Sequence, residues 1–286
     1  MSSPRELVVA LVQMCSTDDV AGNCDYAERQ LIQCAQKGAR WVLFPENVCY
    51  LRKEGEQVDW TEALTREIVA RFCQLAERWN VYILLGSIPE PDPASTRLYN
   101  SSVLISPRGE VTANYRKLHL FDAVLPDGQL LVESKFVEPG NELIWADVDG
   151  VKAGLTICYD LRFPELYRAL TFGGAAIITV PSAFTVPTGQ AHWEVLLRAR
   201  AIENQVFILA PAQTGQHSER RSSFGHSLIV GPWGDVIAAA GQEETIVWAT
   251  LDLEQIRKVR QRMPCLEHRR FQVSGPHVHV SSPQGV

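Results

Sequence analysis

Two rhythms alternate along the chain. Short apolar runs of strand length, Leu7 to Met14, Trp41 to Pro45, Val81 to Ile88 and Ala175 to Val180, are separated by longer stretches whose apolar residues recur every three or four positions. The first such stretch places Ala27, Leu31, Ile32 and Ala35 on one helical face, with Asn23 as the expected cap and Gly38 as its end. A second helix is expected from a cap at Asp59 to Trp79, a third from Pro164 to about Phe172, the clearest from Gln190 to Asn204, and a last one from near Leu253 to just before Pro264. Asn100 to Ile105 and Glu110 to Tyr115 read as a hairpin turning at Pro107-Arg-Gly109. Phe207 to Pro211, Ser227 to Val230, Asp235 to Ala240 and Thr245 to Leu251 read as later strands. Strands that alternate with helices, with hairpins between some of them, predict a layered α/β fold. The segment from Phe121 to Gly140, with Pro126, Gly128 and Pro139, breaks the rhythm and reads as a long irregular loop, a kind of segment that is often functional.

Composition narrows the class. A chain of 286 residues that is 46% hydrophobic can bury a large core, and α/β sandwiches reach this size as one domain. We expect one domain over residues 5–270 and a tail over 271–286 that is rich in Pro, Gly, Ser and His. The formal net charge of −6, spread without a long basic block, predicts neither a nucleic-acid partner nor an anionic membrane. The first apolar run is too brief to span a bilayer and lacks a signal-peptide layout. Cys15, Cys24, Cys34, Cys49, Cys73, Cys158 and Cys265 are odd in number, scattered, and free of any Cys-x-x-Cys pair. That argues against a disulfide framework or a zinc ribbon, and predicts a reducing, cytoplasmic location. His277 and His279 lack a third ligand, so no metal or other cofactor is expected.

Candidate chemistry gathers where apolar runs end. Val151 to Ile157 stops abruptly at Cys158, and Pro164 then opens a helix, so the thiol is expected at the rim of a sheet on a sharp strand-to-helix turn. A free cysteine alone is more often a core residue. Two further segments change that reading: Arg40-Trp-Val-Leu-Phe-Pro-Glu46 ends in a carboxylate, and Val111 to Tyr115 runs into Arg116 and Lys117. Ligand sites of α/β sheets lie at the C-terminal ends of strands. A thiol with a pKa near ~8.5 is mostly protonated at neutral pH, and a neighbouring carboxylate can take its proton as it attacks. Attack on an amide or nitrile carbon creates an oxyanion that a fixed ammonium and backbone N–H groups stabilise.

Phe-Pro-Glu46, Tyr-Arg-Lys117 and Cys158-Tyr-Asp together resemble the Glu, Lys and Cys signatures of the carbon–nitrogen hydrolase (nitrilase) superfamily, over a stretch from about Glu6 to about Arg270. The resemblance implies a four-layer α-β-β-α sandwich and thioester chemistry without a metal. It implies Glu46 as general base, Lys117 as oxyanion stabiliser and Cys158 as nucleophile. Glu133, in the Glu-Ser stretch before Pro139-Gly140, resembles a family glutamate that orients the lysine and substrate, although on its own it reads as a solvated loop carboxylate.

The segments after Cys158 are similar to the branch that hydrolyses deaminated glutathione, and also to ω-amidases acting on 2-oxoglutaramate. They are Pro181-Ser-Ala-Phe184-Thr-Val-Pro-Thr188, Ala191-His-Trp-Glu-Val and Arg221-Ser-Ser-Phe-Gly-His-Ser227. That similarity implies a 2-oxoglutaryl acyl half. Arg162 could then grip its carboxylate through two parallel hydrogen bonds, with Phe184 and Thr188 lining the pocket. The alternatives are an ion pair of Arg162 with Asp160 or Glu165, core packing for Phe184 and a turn role for Thr188. The N–H of Tyr159 is the expected oxyanion donor, while its side chain is free to pack. The expected partner is a small-molecule amide, and a homodimer or higher homo-oligomer is expected on family grounds and because symmetric dimers are common. A sister activity on other amides or nitriles, a retired binding protein and a thiol redox sensor with a nearby resolving cysteine remain the rival readings.

Overall fold

The computed structural model describes residues 5–53, 60–124, 128, 130–270 and 279–280. Two mixed sheets face each other. The first runs in the order Thr245–Asp252, Glu6–Gln13, Trp41–Leu43, Tyr82–Pro91, Leu98–Ile105 and Val111–Arg116, with Val137–Glu138 pairing beside Leu98–Ile105. The second runs Trp145–Val148, Val151–Leu155, Ile177–Thr179, Phe207–Ala210, Leu228–Val230 and Val236–Ala239. Helices α1 (Val20–Gln36) and α2 (Glu62–Trp79) cover the outer face of the first sheet. Helices α3 (Pro164–Phe172) and α4 (Val186–Asn204) cover the second, and α5 (Glu254–Arg262) follows the last strand. This is the expected α-β-β-α sandwich.

The strand sequences explain the layering. Side chains alternate between the two faces of a strand. Leu7, Val9 and Leu11 point into the layer between the sheets, as do Trp41, Leu43, Leu84 and Leu104. Ala10, Val12, Val42, Phe44, Ile83 and Leu85 point the other way, into the layer under α1 and α2. Both faces are therefore buried, which is why these strands are nearly continuous apolar runs rather than alternating ones.

Local details differ from the sequence reading where side chains choose among near neighbours. Helix α1 starts at Val20 with Asp19 as its cap, accepting from the Gly22 N–H at 3.0 Å. Asn23, the expected cap, is buried one turn inside and ties Thr17 to the Cys49 carbonyl. Thr61 caps α2, and the expected cap Asp59 lies outside the described residues. The supposed loop from Phe121 carries two short paired strands, Asp122–Val124 and Leu130–Val132, and a 3-10 turn over Glu133–Lys135, while Pro126 lies outside the described residues. A hairpin of Thr214–Gln216 and Ser222–Phe224 was not foreseen. Of the tail, His279–Val280 pairs in parallel with Glu142–Leu143, and His277 with the rest lies outside the described residues. Among the described residues, no helix is long and apolar enough to cross a membrane.

Candidate active site

Each of the three signature residues lies just past the end of a strand, and the backbone there is pinned. Phe44, Pro45 and Glu46 continue the Trp41–Leu43 strand, with the Phe44 N–H bonded to the Leu84 carbonyl at 2.9 Å. A Cβ on Gly86 would come within 2.0 Å of the Phe44 carbonyl oxygen, so only glycine lets the neighbouring strand pass this segment. Lys117 follows Val111–Arg116, and the Gly140 N–H holds its carbonyl at 2.8 Å. A Cβ on Gly140 would meet the Arg116 carbonyl at 2.3 Å, which gives the Pro-Gly turn its purpose. Cys158 opens a 3-10 turn, Cys158–Arg162, just past Val151–Leu155, and Pro164 is the first residue of α3 as expected. Its φ of +49° lies in the left-handed region, which side chains with a Cβ seldom occupy. Its N–H is fixed on the Pro181 carbonyl at 2.9 Å.

Asp160 anchors that turn. Its fully buried carboxylate accepts from the Tyr115 hydroxyl at 2.7 Å, the Ile157 N–H at 2.9 Å and the His119 N–H at 3.1 Å, and it lies 2.7 Å from His119 Nδ1. One carboxylate thus joins the cysteine turn to the segment that carries Lys117. The His119 ring in turn stacks on Phe163 at 3.6 Å between centroids.

The three signature residues and Glu133 converge. Lys117 Nζ lies 2.9 Å from Glu46 Oε1 and 2.9 Å from both oxygens of Glu133. Glu46 Oε1 also accepts from Asn100 Nδ2 at 2.9 Å, its Oε2 accepts from the Ala183 N–H at 2.9 Å, and Cys158 shares a side-chain hydrogen bond with Glu46. Asn100 Nδ2 reaches Glu133 at 3.4 Å, and Glu133 Oε2 accepts from the Phe121 N–H at 2.6 Å. Lys117 is 2% exposed and Cys158 8%, so the cluster works in a low dielectric, where each charge interaction is strong.

The electrostatics assign protons. Burial pushes the Cys158 thiol well above its usual range, and the Glu46 charge adds to that against the pull of Lys117. Burial alone would raise the Glu46 carboxyl, but the Lys117 charge, with hydrogen bonds from Lys117 and Cys158, outweighs it and holds the group below the usual range. Burial would likewise lower Lys117, yet the Glu133 and Glu46 charges lift it well above its normal value. The resting site is therefore a neutral thiol, a carboxylate and an ammonium, and sulfur becomes nucleophilic only when a base takes its proton. Alkylation of Cys158 by iodoacetamide should keep rising through alkaline pH. A plateau reached below pH 7, followed by peptide mass spectrometry, would contradict this assignment.

The remaining predicted residues sit differently. Arg162 pairs with neither Asp160 nor Glu165. Its Nη1 donates to His192 Nδ1 at 3.3 Å, its Nε is buried with no partner, and its guanidinium lies 5.5 Å from the Phe184 ring centre and 5.7 Å from that of Tyr159. Phe184 is buried and packs on Trp193 at 4.8 Å, so it serves the core as well as facing Arg162. The Tyr159 ring packs between Phe121 and Phe163. The Thr188 hydroxyl turns back on Thr185 in the first turn of α4, in line with the turn reading. All seven cysteines are free, and the Cys15 thiol lies against the Gln216 carbonyl and the His217 ring. Among the described residues, no group of three or more His, Cys, Asp or Glu side chains is arranged to hold a metal.

The carbon-nitrogen hydrolase family model matches residues 8–261. The chain belongs to that family. Among its carbon–nitrogen hydrolase relatives, a Synechocystis protein named deaminated glutathione amidase is 41% identical over 271 residues, covering 93% of this chain and 99% of the relative. A human protein of the same name is 39% identical over 287 residues, covering 98% of this chain and 88% of the relative. The crystal structure of the Caenorhabditis elegans NitFhit protein superposes with a TM-score of 0.91 at 37% identity, over 99% of this chain and 70% of that one. The nitrilase-type sandwich expected from the three signatures is the fold observed.

Proposed function

We propose that this protein is a cysteine-dependent amidohydrolase that cleaves deaminated glutathione to 2-oxoglutarate and cysteinylglycine, a repair of a damaged metabolite. The observation that carries the reading is Arg162: a guanidinium with a buried, unpartnered Nε, stacked near Phe184 and Tyr159, four residues from the thiol. A buried donor without an acceptor costs free energy unless a ligand supplies one. The carboxylate beside a ketone in a 2-oxoglutaryl group is such an acceptor, and the names of the relatives agree with it.

In this reading Glu46 takes the Cys158 proton as Sγ bonds the amide carbon, and the carbonyl electron pair moves onto oxygen. Lys117 and the Tyr159 N–H stabilise that oxyanion. Collapse expels the amine, which receives its proton from Glu46. A water then gives a proton to Glu46 as its oxygen attacks the thioester. The second collapse releases 2-oxoglutarate, and the departing sulfur recovers its proton. Glu133 and Asn100 keep Lys117 and Glu46 in register.

The test is release of 2-oxoglutarate from deaminated glutathione and from 2-oxoglutaramate, measured side by side. Preference for the tripeptide analogue supports the reading, and preference for the small amide replaces it with an ω-amidase. A second experiment addresses Arg162. Arg162→Lys keeps the charge but loses the forked geometry, so KM for either keto-acid amide should rise roughly 10-fold while alkylation of Cys158 stays at the wild-type rate. Unchanged KM would remove Arg162 from the binding site.

A further inference from the structure

We propose that Arg221 binds the terminal carboxylate of the leaving half of the substrate and so selects amides whose amine side ends in an acid. The inference rests on the functional reading above and names a second charged contact for the same substrate.

Arg221 directly precedes the strand Ser222–Phe224, which pairs with Thr214–Gln216 in a hairpin. This hairpin is fastened to the segment expected to line the pocket: Ser223 bridges Thr185, and the Phe224 N–H donates to the Phe184 carbonyl at 2.9 Å. It is fastened to the end of the first strand as well, through His217, whose Nδ1 lies 2.8 Å from the Ser16 carbonyl and whose Nε2 lies 2.8 Å from Ser223 Oγ. The N–H groups of His217 and Ser218 close on the Arg221 carbonyl at 2.9 and 3.3 Å. The Arg221 backbone is therefore rigid. Its half-buried side chain reaches across to the segment that follows Glu46, where Nη1 donates to the Arg52 carbonyl at 3.2 Å.

No carboxylate of the chain pairs with Arg221 among the described residues, whereas Arg97 pairs with Glu138 and Arg116 with Glu90. The charge of Arg221 is felt at the Glu46 carboxyl, which it helps to hold low. Two guanidiniums without carboxylate partners among the described residues, Arg162 and Arg221, thus flank the segments that carry the site from different elements. A substrate charged only on its acyl half needs one of them.

Chemistry decides which half Arg221 meets. Glu46 hands its proton to the departing nitrogen, so the leaving half lies on the Glu46 side, and Arg221 is the cation that approaches Glu46 from the hairpin. Cysteinylglycine extends two residues from the scissile nitrogen, which sets its carboxylate at most about 7 Å away. A cation at the rim suits that span, whereas one beside the sulfur does not.

The test measures kcat and KM of the wild type, Arg221→Gln and Arg221→Lys with three substrates: deaminated glutathione, its C-terminal carboxamide, and 2-oxoglutaramate. For deaminated glutathione, Arg221→Gln should raise KM and lower kcat/KM roughly 10- to 100-fold, the loss of one charge-assisted contact. The two substrates that lack the carboxylate should fall by much less, and the wild-type preference for acid over carboxamide should vanish. Arg221→Lys should recover part of the loss. An equal fall on all three substrates, or no fall on any, overturns the inference while leaving the amidase reading intact. A wild type inert towards both deaminated glutathione and 2-oxoglutaramate contradicts that reading and this inference with it.

Discussion

Cys158→Ala should lower turnover by roughly 10⁴-fold or more, the scale seen when a nucleophile that acts as one unit with its base is removed. The substitution is structurally mild. Alanine keeps the Cβ, so the cost of the +49° φ is unchanged. Glu46 loses a donor but keeps Lys117, Asn100 and the Ala183 N–H. The variant should fold, bind substrate and fail to turn it over. Steady-state release of 2-oxoglutarate together with thermal melting checks both halves, and a folded variant that retains substantial activity would contradict nucleophilic catalysis by Cys158.

Lys117→Met should damage both chemistry and stability. It removes the ammonium from between Glu46 and Glu133 and leaves two carboxylates in a nearly dry cluster. Activity should fall on the order of 10³-fold, the upper end for one oxyanion donor, and stability by about 3–5 kcal/mol, the usual result of stripping one partner from a buried pair. The pH dependence has a definite sign. In the wild type the Glu46 carboxyl is held below its unfolded value, so its contribution is complete above about pH 4.3 and is lost as pH falls through the folded value. Lys117 is held above its unfolded value, so its contribution is complete below about pH 10.4 and is lost as pH rises through the folded value. The pair therefore supports the fold across the neutral range. In Lys117→Met, burial loses its main counterweight and pushes the Glu46 carboxyl up from its wild-type position, so protonation becomes more favourable. The stability gap between variant and wild type should narrow as pH falls from 7 towards 5. A gap that stays constant or widens would contradict the charge assignment.

The parts legible in the sequence share a physical property: each is decided within a few residues. Glu46, Lys117 and Cys158 follow strands in recognisable local runs, and Pro164 marks its helix start whatever packs on it. Residues whose roles depend on distant partners were not legible as such. Asn100 bridges two carboxylates that stand 54 and 33 positions away, and it reads in sequence only as the first residue of a strand. Asp160 appears as a neighbour of the nucleophile, and its partners Tyr115 and His119 lie 45 and 41 positions back. Nothing in the string Pro181-Ser-Ala183 announces that the Ala183 N–H serves Glu46, 137 residues away. The hairpin that carries Arg221 was missed because Thr-Gly-Gln and Ser-Ser-Phe show no apolar alternation. Asp19 and Asn23 are both good caps, and the choice fell to Asp19 because Asn23 finds backbone partners inside the fold.

The central claim is that Cys158 forms a covalent acyl intermediate with the 2-oxoglutaryl half of the substrate. The most direct measurement is rapid acid quench of the enzyme mixed with excess deaminated glutathione, followed by intact-mass and peptide mass spectrometry. The account predicts a mass increment of one 2-oxoglutaryl group on the peptide carrying Cys158, accompanied by an equivalent burst of cysteinylglycine and absent from Cys158→Ala. Turnover by the wild type with neither an adduct nor a burst at any quench time, or an adduct on another residue, would contradict it.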